Sequence, residues 1–331
     1  MLATGIGSLP GEDFAEAVRV VLGELPDLPH LPELPTRGAT ASMTGRTLAV
    51  LAGLDADLQP AGWRLTGSGG SPGLDHRRAR SLLAQDLDTL EELMQDYTGP
   101  FKLQVAGPWT LAATVERPRG DRVLADHGAR RELAQALAEG LREHVADVRR
   151  RVGGADRLIV QVDEPALAAV LRGRVPTASG FGRHRSVDAP EASQALEWVL
   201  AAVSGEGAEP WVHACAADTP WRLLRGAGAK GLAVDLGVLR AGDHDALAEA
   251  LEAGETVALG VVPSLDPAEV PSDKQVVERT LRWLDMVGLD PEEVGERLVL
   301  TPACGLAGAS RDWARRAMTL ARAAASALDG R

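Results

Sequence analysis

The sequence predicts an α/β protein in which short strands and longer helices alternate along nearly the whole chain. Seven apolar runs, rich in Val, Leu and Ile and flanked by Gly or Pro, are typical of buried parallel strands. They occupy residues 2–8, 101–106, 158–162, 210–215, 231–236, 256–262 and 298–302. Patterns of helical period lie between them, at residues 14–22, 77–94, 130–152, 192–203, 244–252, 274–287 and 310–328. Ser310 is a typical N-cap for the last of these helices.

This alternation favours a (β/α)8 TIM barrel that forms a single domain over residues 1–331. An eighth strand is expected within residues 31–70, where the pattern is weakest. The two candidates are residues 63–66, which precede the Gly-rich segment 67–71, and the Pro-rich segment 31–37. A doubly wound open sheet is the alternative, but no Gly-x-Gly-x-x-Gly sequence joins a predicted strand to a helix.

The composition is that of a globular enzyme, with 45% hydrophobic and 25% charged residues. A formal net charge of −12 argues against nucleic acid or an anionic membrane as the main partner. No apolar run approaches the roughly 20 residues that span a bilayer, and the N-terminus lacks the features of a signal peptide. We therefore expect a cytoplasmic location.

The two cysteines of the chain both lie where predicted strands end. His213 and Cys215 are two residues apart, so their side chains point the same way from one strand. Cys304 ends another strand, and the carboxyl ends of barrel strands carry the chemistry of such folds. Zinc binds thiolate sulfur and imidazole nitrogen, so these three residues predict a zinc site. The alternatives are a buried core His and Cys, or a Cys–His nucleophile.

Asp235 is a candidate fourth ligand of this zinc. It ends the apolar run 231–235, where a carboxylate is costly unless it binds something. Its alternative role is that of a cap or turn residue for the next segment.

Two further strand ends offer groups for a substrate. Asp163 and Glu164 follow the run 158–162 and point to opposite sides, so one of them can face the barrel mouth and hold an ammonium group. Alternatively, these two acids lie at a helix N-terminus, where the helix dipole favours negative charge. Residues 5–8 offer backbone donors and the hydroxyl of Ser8, although Gly and Ser are also ordinary in plain turns.

The remaining candidates carry weaker patterns. Trp109 follows a strand end and a Gly-Pro pair, where its ring could stack on a flat ligand such as a methyl donor. Glu33, Arg37 and Arg46 lie in the irregular segment and could reach an anionic substrate. We interpret each of these three as a solvated charge.

Together these motifs resemble the C-terminal catalytic barrel of cobalamin-independent methionine synthase. That barrel is related in fold to uroporphyrinogen decarboxylase and to corrinoid-dependent methyltransferases. The matching stretches are residues 4–10, 161–167, 212–215 and 301–306, in the order of the family.

The resemblance implies a role for each matching residue. Zinc would lie on His213, Cys215 and Cys304, with Asp235 where the family has a Glu ligand. Ile6 and Ser8 match the segment that contacts homocysteine, and Asp163 matches the acid that holds its amino group.

Three features depart from the family. The full-length family carries a second, N-terminal barrel, for which this chain has no room. Residues 259–266 lack a His that the family carries there as a proton donor, and residues 33–46 match poorly. The resemblance therefore supports zinc chemistry in this chain more strongly than it supports the identity of the methyl donor.

The function predicted on this basis is zinc-dependent S-methylation of homocysteine in methionine biosynthesis. A free thiol, with a pKa of about 8.5, is mostly protonated at neutral pH and becomes a nucleophile on zinc. A methyl-folate or a methylated corrinoid protein would supply the methyl group. The alternatives are alkyl transfer from a methyl or epoxide donor to another thiol, such as coenzyme M, and a non-catalytic corrinoid- or partner-binding barrel with structural zinc. A decarboxylase would give the cysteines no role.

Overall fold

Within residues 1–66 and 72–329, which the computed structural model describes, nine strands form two sheets. They are β1 (Leu2–Ala3), β2 (Ala56–Gln59), β3 (Gly62–Leu65), β4 (Gly99–Ala106), β5 (Ala155–Asp163), β6 (Glu209–Ala214), β7 (Gly231–Asp235), β8 (Thr256–Val262) and β9 (Leu298–Pro302). Seven strands form a curled parallel sheet in the order β1-β9-β8-β7-β6-β5-β4. The other two, β2 and β3, form a separate antiparallel hairpin.

All seven predicted strands belong to the parallel sheet, and β8 and β9 have the predicted bounds. The strand predicted over residues 2–8 is much shorter, because only Leu2 and Ala3 pair in register with β9. Farther along, the carbonyl of Gly7 and the N–H of Leu9 hydrogen-bond with Glu33 instead.

The part of the chain that the structure describes contains no eighth strand in this sheet. Instead, residues 29–33 make isolated parallel bridges to both of its edges, from His30 to Lys102 of β4 and from Glu33 to Ser8 beyond β1. The other candidate, residues 63–66, lies largely in the β2–β3 hairpin, and the Gly-rich segment 67–71 falls outside the described residues. The Pro-rich candidate therefore starts close to the position that an eighth strand would take.

The helices of the described chain surround the sheet. They are α1 (Phe14–Glu24), α2 (Met43–Val50), α3 (Leu74–Leu93), α4 (Pro108–Thr114), α5 (His127–Arg151), α6 (Leu167–Leu171), α7 (Ala189–Gly205), α8 (Trp221–Gly226), α9 (Ala241–Glu252), α10 (Asp273–Val287), α11 (Pro291–Val294) and α12 (Arg311–Asp329). All seven predicted helices are present, and Ser310 caps α12 by accepting from Trp313 N at 3.1 Å.

Five helices were not predicted: α2, α4, α6, α8 and α11. Each has eight residues or fewer, which is too short for a 3.6-residue period to stand out. None of the helices in the described ranges is long and apolar enough to cross a membrane.

A small apolar cluster lies inside the curl of the sheet, apart from the larger core under the helices. Its buried members are Ile6, Leu28, Ile159, Trp211, Ala233, Ala258 and Val299. Because alternate residues of a strand face the same side, Gln161 and Asp163 share the inner face with Ile159, and His213 shares it with Trp211. The inner face is therefore largely apolar near the middle of the strands, with Lys102 as an exception, and polar toward their carboxyl ends.

Residues 29–33 pack closely against the first strand segment. The ring of His30 is buried, at 1% exposed, and a Cβ added to Gly5 would lie only 2.2 Å from its Cε1 atom. A side chain at position 5 therefore cannot be accommodated unless His30 moves.

We expect Gly5→Ala to destabilise the protein by about 1–3 kcal/mol, because the added methyl group overpacks the contact with His30. Urea unfolding measures the change. In a His30→Ala background the same substitution should cost clearly less, because the obstructing ring is absent.

Gly23→Ala is the matched control. A Cβ at Gly23 in α1 meets nothing within 4 Å, so this change should be neutral or slightly stabilising. An unfolding midpoint for Gly5→Ala equal to that of the unchanged protein would contradict the close packing of residues 29–33 against Gly5.

Candidate functional site

Two thiols and one imidazole converge at the carboxyl edge of the parallel sheet. His213 lies in β6, Cys215 directly follows that strand, and Cys304 follows β9. The Sγ atoms of Cys304 and Cys215 are 2.9 Å apart, and Cys304 Sγ is 3.7 Å from His213 Nε2. The ligand atoms of these three residues all lie within 4.8 Å of one another. Such a set of soft donors can hold a metal ion.

The backbone selects the tautomer of His213. Its Nδ1 is 3.0 Å from the carbonyl oxygen of Ala233 on β7, and a carbonyl only accepts, so Nδ1 carries the proton. The lone pair of Nε2 therefore faces the two sulfurs. Metal-binding histidines are oriented in this way by a hydrogen bond to their other nitrogen.

The contacts among these groups also shift their acidities. The sulfur of Cys215 accepts a hydrogen bond from Cys304, which lowers the pKa of Cys215 and, together with burial, raises the pKa of Cys304. Burial opposes a charge on His213, but the Cys304 thiol and the Asp163 carboxylate raise the pKa of its ring above the ordinary value. The thiol of Cys215 is therefore the first of the pair to ionise.

Asp163 and Glu164 face opposite sides of the sheet, as predicted. Glu164 is buried on the helix side, where its carboxylate accepts from Trp109 N at 2.9 Å, Thr110 N at 2.8 Å and Thr110 Oγ1 at 2.7 Å. A Cβ on Gly107 would lie 2.3 Å from Glu164 Oε1, so only glycine leaves space for this contact. Burial raises the pKa of Glu164 to about 7, against the three hydrogen bonds that lower it.

Asp163 faces a cavity of about 280 Å³ that also contains the three metal-binding candidates. The residues that line it are Ile6, Gly7, Ser8, Glu33, Pro35, Met43, Gln104, Asp163, Pro165, His213, Cys215, Cys304 and Gly305. Burial raises the pKa of Asp163 to about 7, and nearby His213 opposes that rise. The cavity thus combines a thiol–imidazole cluster with two carboxylates, and no Lys or Arg is among its described lining residues.

Six of the residues predicted from the sequence meet in this cavity, and two do not. Asp235 is not in the three-residue cluster, because its Oδ1 accepts from Gly237 N at 2.7 Å and so caps the turn after β7. Trp109 does not reach the cavity. Its side chain is buried against α7, where Nε1 donates to the carbonyl of Ala192 at 3.1 Å.

The interpretation of Glu33 and Arg46 as solvated charges was wrong, because both are only 5% exposed. Arg46 Nε lies 3.6 Å from Glu33 Oε1, and Arg46 Nη1 donates to Asp86 Oδ2 at 2.7 Å. Asp86 also accepts from Arg37, which keeps a small exposed fraction. Glu33 and Arg37 lie on irregular segments and Arg46 on the short helix α2, whereas Asp86 lies in the long helix α3, distant in the sequence. No periodic pattern therefore pointed to their contacts.

A protein-family model described as the catalytic domain of cobalamin-independent synthase matches residues 94–327. The chain belongs to the cobalamin-independent methionine synthase family. It is accordingly a methyltransferase, and methyl transfer to homocysteine is the general reaction of this family. The matched range includes Asp163 and all three residues of the thiol–imidazole cluster.

A solved methionine synthase structure has a fold similar to that of this chain. A B12-independent methionine synthase from Shewanella sp. W3-18-1, solved in complex with selenomethionine, aligns over 99% of this chain and 97% of that one. The two are 16% identical with a TM-score of 0.62, a likeness that shows the fold alone. A methylaspartate ammonia lyase from Clostridium tetanomorphum is 14% identical, with a TM-score of 0.45 over 99% of this chain and 58% of that one. A comparison with curated protein sequences gives no match.

We expect Glu164→Gln to destabilise this family member by about 1–3 kcal/mol, because an amide NH2 would face a backbone N–H that now donates to a carboxylate oxygen. Urea unfolding at neutral pH measures the loss. Glu252→Gln on the exposed face of α9 is the matched control and should change stability little. Equal stability for both variants would count against the capping role of Glu164.

Proposed function

We propose that the chain binds zinc through His213, Cys215 and Cys304 and methylates the thiol of homocysteine, forming methionine. The observation that carries the proposal is the cavity itself. Two thiols and an oriented imidazole lie at one end, and two carboxylates lie beside them. That combination suits a ligand that carries both a thiol and an ammonium group.

The donor set fits zinc because thiolate and imidazole are its preferred ligands in proteins. Three protein ligands leave a coordination position for the thiol of the substrate, as in catalytic rather than structural sites. When bound, zinc would hold that thiol as a thiolate at neutral pH. We leave Asp235 out of the proposed set, because its carboxylate would have to give up the hydrogen bond to Gly237.

The charge of the cavity supports an amino-acid thiol. Asp163 and Glu33 line it, and a buried carboxylate strongly favours a nearby cation over a nearby anion. We assign the substrate ammonium to Asp163 and its carboxylate to the turn that contains Ser8. Ile6 lines the same cavity and would contact the alkyl chain. A sulfonate thiol such as coenzyme M would require a cation, and none lines the described cavity.

The methyl donor that we propose is a methyl-folate, in line with the family reaction. Among the residues that the structure describes, none makes a contact that favours the alternative, a methylated corrinoid protein. Trp109 is buried and cannot stack on either donor, so the earlier expectation for this residue does not carry over. We also propose that residues 1–331 form a single domain in which segment 29–33 takes the place of the eighth barrel strand.

We expect the purified protein to contain about one zinc per chain, and Cys304→Ala to lose most of it, because one of the three ligands is absent. Metal analysis measures the content, and X-ray absorption should show a new zinc–sulfur bond when homocysteine is added. Asp235→Asn is the control and should keep its zinc. Fresh protein without zinc, or no new sulfur ligand, would count against the proposal.

We expect Asp163→Asn to weaken homocysteine binding about tenfold to a hundredfold, because a hydrogen bond between charged partners is lost. Binding of 4-mercaptobutanoate, which has the same thiol and carboxylate but no amine, should change little. Calorimetric titration of both thiols compares the two, and Asp88→Asn on the surface is the control. An equal loss for both thiols would argue against the ammonium role of Asp163.

A further inference from the structure

We infer that Lys102 is a positioning residue for substrate recognition: its buried ammonium group orients the amides of Gln161 and Gln104 and thereby holds the cavity carboxylates ready for the substrate ammonium. The inference rests on the proposed function and extends it to a residue below the cavity floor. Lys102 does not line the cavity itself, so it acts through its neighbours rather than on the substrate.

Lys102 makes hydrogen bonds to several of the polar groups inside the sheet. Its side chain projects inward from β4 and is fully buried. The Nζ atom donates to the carbonyl of Ile6 at 2.9 Å, to Gln161 Oε1 at 3.0 Å and, more weakly, to Gln104 Oε1 at 3.5 Å. An ammonium group has three donors and no acceptor, so all three of its hydrogens have partners here.

This arrangement dictates which way each amide points. Because Lys102 can only donate, both glutamines must turn their oxygen atoms toward it and their NH2 groups away. Gln161 Nε2 then donates to Asp163 Oδ1 at 2.7 Å and to the carbonyl of Ile6 at 2.9 Å. Gln104 Nε2 donates to the carbonyl of Leu31 at 2.7 Å, beside Glu33.

The surroundings of the two carboxylates show why such donors are needed. Burial raises the pKa of Asp163 to about 7 and raises the pKa of Glu33 above its ordinary value. The Gln161 amide and the charge of Lys102 oppose that rise at Asp163, and Gln104 and Arg46 oppose it at Glu33. A buried carboxylate without hydrogen-bond donors is costly, so donors aimed at this region stabilise the charged groups that would hold the substrate ammonium.

The surroundings of Lys102 act on its charge in two opposite ways. Burial lowers its pKa to about 8, and the charges of Asp163 and Glu33 oppose the shift. His30 on segment 29–33 also faces it, and burial keeps the pKa of that ring well below its usual range. Lys102 therefore acts on both buried carboxylates, and Arg46 is a second buried cation beside Glu33.

The test compares two thiols in two variants. Lys102→Met removes the charge at nearly constant volume and frees both amides to rotate. Gln161→Glu keeps an oxygen for Lys102 but takes away the donor to Asp163. We measure the dissociation constants of homocysteine and of 4-mercaptobutanoate by calorimetric titration, together with zinc content and unfolding midpoint.

Both variants should bind homocysteine about tenfold more weakly or worse, while their affinity for 4-mercaptobutanoate changes less than about twofold. Zinc content should stay at the level of the unchanged protein. In turnover, the KM for homocysteine should rise more than kcat falls. Lys230 is exposed to solvent, so Lys230→Met is the control and should change neither affinity.

Two outcomes would overturn the inference. The first is an unchanged preference for homocysteine in a folded variant, and the second is an equal loss of affinity for both thiols, which would indicate a structural role. If Lys102→Met does not fold, Gln161→Glu decides alone, because Lys102 keeps a partner there. A failure of the proposed function looks different, because the unchanged protein would then show no preference for the thiol that carries an amine.

Discussion

Polar groups enclosed within the curled sheet are stabilised by hydrogen bonds to one another, because a buried polar group without a partner is costly. Gln161 makes hydrogen bonds to several of these groups. Its oxygen accepts from Lys102 on β4, and its NH2 group donates both to the carbonyl of Ile6, beyond β1, and to Asp163 at the end of β5. One amide thus connects three parts of the inner wall. The same bonds reach Asp163, which lines the cavity above this interior.

The period of the strands explains which parts of the site could be predicted from the sequence. Continuous apolar runs identified every strand of the parallel sheet, and the spacing of two between His213 and Cys215 correctly placed both side chains on one face. The opposite orientations of Asp163 and Glu164 follow from the same rule. These inferences succeeded because they depend only on local geometry within a strand.

The parts of the site that the sequence did not predict depend on contacts between distant residues or on nearby groups that compete for the same side chain. Glu33 is buried because an irregular segment happens to bridge both edges of the sheet, and no residue period indicates that. Trp109 is turned toward α7 because a short helix begins at Pro108. Asp235 is occupied by the N–H of Gly237 two residues away, a turn contact that the sequence allowed but did not require.

The way in which segment 29–33 is attached has a consequence for the motions of the protein. Two isolated bridges hold it to the sheet, whereas β4 and β5 share a nearly continuous register over the length of β4. Native proteins open first where backbone hydrogen bonds are few, so we expect this segment to open more readily than the β4–β5 pair. Such opening would expose Glu33 while His213 stays in place, because β6 is paired on both sides. A small molecule that entered or left on this side would pass a loosely attached segment, while the strand that carries His213 kept its pairing.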